Sequence, residues 1–454
     1  MKDETMHTRR EFVKQFIGGG AAFISYRSIA AESERSRSDA PEESIGNNTG
    51  DASSFLVDNP YAEVDWTKTT CVTSTTHVHV EDQEKLDLYY HKFGLRHFAI
   101  SNYYPSAPAY PLKSIRYNQY KVEQDFGMIV NLDPTKTGKA RWADGKFVEG
   151  PFRWNDIIAK GPRAWAHELP ASLQANLPFR LGDLIFKNVP DDVLVSPNAE
   201  HHGFLNSELH ACAVGSLYCS GNFDAHDVYK TQEHGYAIGT GLPWEIAFKK
   251  MTDQLLYADA GGITINHPIW SRLPFEDITR MLDFDHRVLG IEVYNDGDTY
   301  TRGEDGSPIA VDLWDKILCT GRRCLGFFVP DHSVARGKNV LMVPALTEYE
   351  CLKAYRKGAF IGTIIGTGLQ FTRIHLEDNR LTVALNEPAN ISFITDAVSD
   401  KQNVASHFAR EADYKIPTGP DGCPTISYVR VEVVDYTSTE QLFSQPIRFI
   451  KNVP

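Results

Sequence analysis

The chain has 454 residues, 42% of them hydrophobic, enough for a large core and, by length, for two or three domains. Its formal net charge of −13 gives it little attraction for nucleic-acid backbones or anionic membranes, so nucleic acid is not an expected partner. No apolar run reaches the roughly 18 residues a membrane-spanning helix needs, so none is expected.

Residues 1–31 read as an export signal of the twin-arginine type. Arg9-Arg10 is followed by Phe12 and Lys14, then by an apolar stretch over 16–26 and small residues at Ser28-Ile29-Ala30. The order of these parts separates the reading from a plain amphipathic helix and predicts a periplasmic or extracellular protein. Residues 32–60 form a polar linker rich in Ser, Glu, Asp, Asn and Gly.

From residue 61 to 365, strands and helices alternate. Residues 95–101 read as a buried strand. Ile246, Phe248, Met251, Leu255 and Ala258 lie on one helical stripe over 243–259, stopped by Gly261-Gly262. A short strand over 263–265 then ends at Asn266-His267-Pro268. The unit recurs as helix 275–282 with strand 289–294, and helix 311–319 with strand 324–329. Thr347 and Glu350 form a capping box for a helix over 348–357, ended by Gly358. Such alternation implies an α/β domain with a parallel sheet and crossover helices. Within it, residues 104–190 form an insertion rich in aromatics and arginines, among them Tyr110, Arg116, Trp142, Arg153, Trp154 and Trp165. It reads equally as a decorated loop with its own small core or as a cap over the strand ends that selects substrate. After 366 the pattern becomes short strands at 369–374, 381–385, 391–394, 428–434 and 447–450, a separate small β-sandwich over 366–454.

The seven cysteines are odd in number and include no CxxC pair, against a zinc ribbon or a disulfide framework. A Cys319–Cys324 bridge is one reading, and buried free thiols are the preferred one.

The sixteen histidines carry more information. His77 and His79 flank one residue, and on an extended chain both rings point to the same side and reach one ion. Asn198-Ala199-Glu200-His201-His202 follows, with His210 ten residues beyond Glu200. A carboxylate has two oxygens to share, so Glu200 can bridge two cations. In Asn266-His267-Pro268 the proline ends the strand and leaves the imidazole at its tip. Asp331-His332 again follows an apolar strand. Any one of these pieces alone reads as an ordinary core or surface residue. Together, His77, His267, Glu292 and Asp331 all lie in or just after predicted strands, where closed α/β barrels gather reactive side chains.

The order of HxH, Glu, His, Asn-His-Pro and Asp-His resembles the PHP family, metal-dependent phosphoesterases related to the polymerase and histidinol phosphatase domain. Residues 93–100, 290–295 and 354–360 are similar to that family's second strand, a late strand, and its final helix and turn, so the likeness spans roughly residues 70–365. It implies a distorted seven-stranded β/α barrel holding two or three divalent ions, zinc, manganese or iron. Carried over, His77, His79, Glu200 and Asp331 would hold one ion, and Glu200, His210 and His267 a second. His332 would serve a third ion or the substrate. The chain departs from the pattern where Ser101-Asn102-Tyr103 replaces Thr-Asp-His, and where Asp331 and His332 are adjacent instead of Asp-x-His. A two-ion site is therefore preferred.

The chemistry that follows is hydrolysis of a phosphate ester by a metal-activated water. His332 or His201 would protonate the leaving group, and Arg336 and Lys338 would hold the phosphate unless they are solvated surface charges. Two rival readings stay open: an amide or lactone hydrolase of the same barrel type, and a secreted binding protein with a degenerate site.

Overall fold

A computed structural model describes residues 55–80, 83–101, 139–141, 147–149, 190–216, 218, 242–297, 309–333, 335–366, 368–396, 403–437 and 440–451. The export signal, most of the polar linker, and the 104–190 insertion apart from a short hairpin lie outside the described residues.

In chain order the elements are β1 (Phe55–Asp58), β2 (Thr70–Val78), α1 (Gln83–His91), β3 (His97–Ile100), the hairpin β4 (Lys139–Arg141) and β5 (Phe147–Glu149), β6 (Leu194–Ser196), β7 (Glu200–His201) and β8 (Ala211–Val214). Then come α2 (Trp244–Asp253), β9 (Gly262–Ile265), α3 (Phe275–Phe284), β10 (Val288–Asn295), α4 (Val311–Leu318), β11 (Leu325–Val329), β12 (Gly337–Val343), α5 (Glu348–Lys357) and β13 (Phe360–Ile364). The C-terminal part is all strand: β14 (Phe371–Glu377), β15 (Arg380–Thr395), β16 (Asn403–Lys415), β17 (Tyr428–Val434), β18 (Gln441–Ser444) and β19 (Ile447–Lys451). The fold is mixed α/β with strands in the majority, and none of its described helices is long and apolar enough to cross a membrane.

Two sheets carry the architecture. A five-stranded sheet runs β11-β10-β9-β8-β7, with β9, β10 and β11 parallel and β8 antiparallel to both neighbours. A twelve-stranded sheet runs β1-β19-β17-β18-β13-β12-β2-β3-β6, with β14, β15 and β16 joined through β15. Only β2, β3 and β6 are mutually parallel there. The sheets are thus mixed, against the wholly parallel expectation: β12 runs antiparallel to both β2 and β13 in the large sheet, and β8 antiparallel to β7 and β9 in the small one. They meet at their strand tips, through a parallel bridge between Val78 and Asp331 and through the Gly215 N–H donating to the Pro197 carbonyl at 2.8 Å.

Helices α2, α3 and α4 bury their apolar stripes on the five-stranded sheet. Trp244, Ala247, Phe248 and Met251 of α2 join Ile278 and Met281 of α3 and Trp314 and Ile317 of α4 in one core. Helix α2 stops six residues before the expected 259. Its chain leaves to pair with the end of β8: Leu255 bridges Ser216 and the Leu256 N–H donates to the Gly215 carbonyl. Half of the expected capping box of α5 forms, its Thr347 N–H going to the Ala345 carbonyl, and the expected glycine stop is present. The Thr347 hydroxyl accepts from the Glu350 N–H at 3.2 Å, and Gly358 takes φ +80°, a left-handed turn that costs glycine little.

The C-terminal strands continue the large sheet: β18 pairs with β13, and β17 pairs with both β15 and β18. Where two strands were expected over 381–385 and 391–394, one strand, β15, runs through. Its pairing to β16 jumps at Pro388, from Ala384 opposite Glu411 to Ala389 opposite Ala409, the bulge that lets a proline sit in a ladder. Beneath this sheet Arg430 is fully buried over the Trp314 ring and reaches Asp315 with two nitrogens at 2.8 Å and Glu432 with a third at 2.6 Å. Cys319 and Cys324 are both free thiols.

Candidate metal centre

Strand β2 delivers His77 at its end and His79 just beyond it, two residues apart and so on one side. The Val78–Asp331 bridge sets the exit of β11 beside them. The Asp331 N–H donates to the His77 carbonyl and the His79 N–H to the Asp331 carbonyl, each at 3.1 Å. Asp331 takes φ +53°, which turns its carboxylate back towards the two rings. Glu200 opens β7 with its N–H on the Ser101 carbonyl. His210 precedes β8 and His267 follows β9, held level by the Asn266 N–H donating to the His210 carbonyl at 2.9 Å.

The result is two groups of ligand atoms that share Glu200. In the first, His77 Nε2 lies 3.3 Å from His79 Nε2, 3.4 Å from Glu200 Oε2 and 3.2 Å from Asp331 Oδ1. His79 Nε2 lies 3.1 and 3.4 Å from the same two oxygens. A tetrahedron with edges of that length has its centre about 2.0 Å from each corner, the length of a zinc–imidazole or zinc–carboxylate bond. In the second group the other oxygen, Glu200 Oε1, lies 2.7 Å from His210 Nδ1 and 3.1 Å from His267 Nε2.

The charges point the same way. Glu200, Glu292 and Asp331 are buried, and among the described residues their ion pairs are all to histidines, which carry charge only when protonated. Burial opposes charge on Glu200 and Asp331, yet the imidazoles, His77 foremost, hold both well below the usual carboxylate range. Burial likewise disfavours charge on His77, but Asp331 and Glu292 outweigh it and raise its pKa well above the ordinary value. His267 is raised to about 9 against burial, chiefly by its bond to Glu200. Concentrated buried negative charge of this kind is stabilised by protons or by a cation.

The remaining expected residues stand apart from these two groups. His332 stacks on His79 with ring centres 3.7 Å apart and planes 7° from parallel, its side chain 43% exposed and its Nε2 3.6 Å from Asp331. His201 points away, buried against Tyr218, and burial lowers its pKa to about 4. The Arg336 guanidinium pairs with the buried Asp296 carboxylate at 3.2 Å, and its backbone N–H donates to the same carboxylate at 2.7 Å, while the Lys338 ammonium is buried and donates to the Gly366 carbonyl at 3.2 Å. Ser101, at the start of the departed Thr-Asp-His position, ties strands instead: its hydroxyl accepts from the Val78 N–H and donates to the Val78 carbonyl. Asn102 and Tyr103 lie outside the described residues.

Two contributors escaped the sequence. Glu292 was placed among the strand-borne candidates but given no role, yet it accepts from His77 Nδ1–H at 2.7 Å, an imidazole 215 positions away. Trp270 stands edge-on to both His210 and His267, with ring centres 5.3 and 5.0 Å off. Its signal was proximity to the Asn266-His267-Pro268 turn, which a tryptophan three residues on would wall.

No family model matches the chain, and no curated protein does. A crystal structure from Bacteroides vulgatus ATCC 8482, of a two-domain protein containing a predicted PHP-like metal-dependent phosphoesterase, superposes with TM-score 0.35 and 12% identity over 85% of this chain and 96% of that one. A superposition that loose carries neither fold nor function across.

Proposed function

We propose that this chain is an exported metal-dependent hydrolase of the PHP type that cleaves a phosphate ester at a two-ion centre. The supporting observation is Glu200, whose two oxygens face two separate groups of imidazoles, the arrangement of a carboxylate shared by a pair of ions. His77, His79, Glu200 and Asp331 hold the first ion; Glu200, His210 and His267 hold the second. Bound divalent ions supply Lewis-acid polarisation of the ester and lower the pKa of water.

The chain's own side chains do the rest. His332 covers the solvent side of His79 and meets the leaving group. Arg336, half exposed and anchored on Asp296, holds the phosphate. Asp296 is followed by Gly297, where a side chain would collide with the Asp331 carboxylate, so this arginine is anchored beside the ligands. Lys338 is too enclosed for that task. Trp270 walls the His210 side. In this reading the tips of β2, β3, β6, β8, β9, β10 and β11 line one distorted seven-stranded barrel over 61–365. Residues 1–31 direct export, 32–60 link, and 366–454 form the second domain as a buttress.

Elemental analysis of the purified full chain and of Glu200→Ala, followed by a phosphoester screen, tests this. About two equivalents of zinc, manganese or iron, both lost in the variant, with release of phosphate from a phosphomonoester or phosphodiester, is the expected result. No metal in the wild type even after reconstitution overturns the hydrolase. Metal with turnover only of lactones or amides overturns the substrate class.

A further inference from the structure

We infer that Glu292 is a positioning residue that sets both ligand groups at once, an inference that rests on the two-ion reading above. Its side chain is wholly buried on β10 and spans the two groups. Oε1 accepts from His77 Nδ1–H at 2.7 Å, which fixes the tautomer and leaves the Nε2 lone pair facing the first group. Oε2 accepts from the backbone N–H of His267 at 2.7 Å, in the second group, and from Asn295 Nδ2–H at 2.8 Å.

The His267 contact bears on backbone shape. A residue before proline favours an extended conformation near φ of about −120°, yet His267, followed by Pro268, sits at φ +26°. Its N–H is held in that conformation by the carboxylate, and the Ser271 hydroxyl lies 3.2 Å from its Nδ1, so the ring is fixed from both ends with Nε2 on Glu200. The pairing of β10 with β11 shifts register between Glu292 and Tyr294, the kind of irregularity that re-aims a side chain. All three partners donate hydrogen, so only a carboxylate satisfies them. A glutamine would turn its own N–H bonds towards a donor on one side or the other. An aspartate, one methylene shorter, would not span both sides.

Cobalt(II) titration of the metal-stripped full chain, followed by visible absorption, separates the possibilities. Wild type is expected to take two equivalents. Glu292→Gln is expected to weaken both about 10- to 100-fold and to alter the cobalt bands. Ser271→Ala is expected to weaken one equivalent only. Should Glu292→Gln fail to fold by circular dichroism, Glu292→Asp replaces it and is expected to weaken both equivalents while keeping the charge. Wild-type affinity and bands at either equivalent in the folded Glu292 variant overturn the positioning role and leave the two-ion reading intact. No cobalt uptake by the wild type overturns both.

Discussion

Of the places where this molecule buries charge, two do it differently. Under the C-terminal sheet, Arg430 is enclosed with Asp315 and Glu432. Its guanidinium is always charged, its carboxylates remain about a quarter exposed, and Trp314 supports its face. The group is complete with side chains alone. At the strand tips, Glu200, Glu292 and Asp331 are more deeply buried, and their partners are imidazoles whose charge is conditional. The first arrangement joins elements. The second holds its carboxylates in readiness for something positive, and the imidazole nitrogens that face each other there at 3.3 Å make sense as ligands to one ion.

The contrast breaks or holds under four measurements. Chelation has the largest expected effect. With metal at about 1,000 times its dissociation constant, its removal should lower unfolding free energy by about 4 kcal/mol, read as a fall in Tm that added zinc reverses. Arg430→Met comes next. It strands two carboxylates, which partly rehydrate because they are not sealed off, so about 3 kcal/mol should be lost in urea unfolding with metal content unchanged. A loss of metal in that variant would mean the two charged places are not independent.

The third measurement concerns His97, a buried histidine that has no part in either place. Its ring nitrogens each lie 2.8 Å from a serine hydroxyl, Ser74 and Ser196, and burial lowers its pKa to about 3. The unfolded chain binds this proton near the ordinary 6.5 and the folded chain only near 3, so stability is full above 6.5 and falls as pH drops between the two. At pH 5 the loss is about 2 kcal/mol relative to pH 8. His97→Gln, which keeps a donor and an acceptor, should flatten the acid limb by that amount. An unchanged limb would place the acid sensitivity in the carboxylate cluster instead. The smallest effect is expected for Thr347→Ala, which removes the α5 cap and should cost about 1 kcal/mol with no change in metal uptake.

The ligands were legible in the sequence because they sit at the ends of strands: His77, His267 and Asp331 where one stops, with Pro268 marking one stop outright, and Glu200 and His210 where one starts. Their support was not legible. Glu292 is marked by its place on a strand with the other candidates, but its role beside His77 shows only when the fold brings the two together. Strand β12 was missed because Gly337-Lys338-Asn339 looks like loop, yet Lys338 is buried and the Asn339 amide exchanges hydrogen bonds with the Phe328 backbone at 3.1 Å. Strand β15 was split in two because Pro388 reads as a break where the fold makes a bulge. Cap chemistry at Thr347 and Gly358 is local and was read correctly; contacts across hundreds of residues are not local and were not.

The bridge between Val78 and Asp331 is a seam held by two backbone hydrogen bonds, with His77 and His79 stitched to one lip and Asp331 to the other. An ion gripped by all three would rivet the lips together. The amide protons of His79 and Asp331 are then a built-in gauge of loading: they exchange with solvent only when the seam parts, and the seam parts only when the rivet is out.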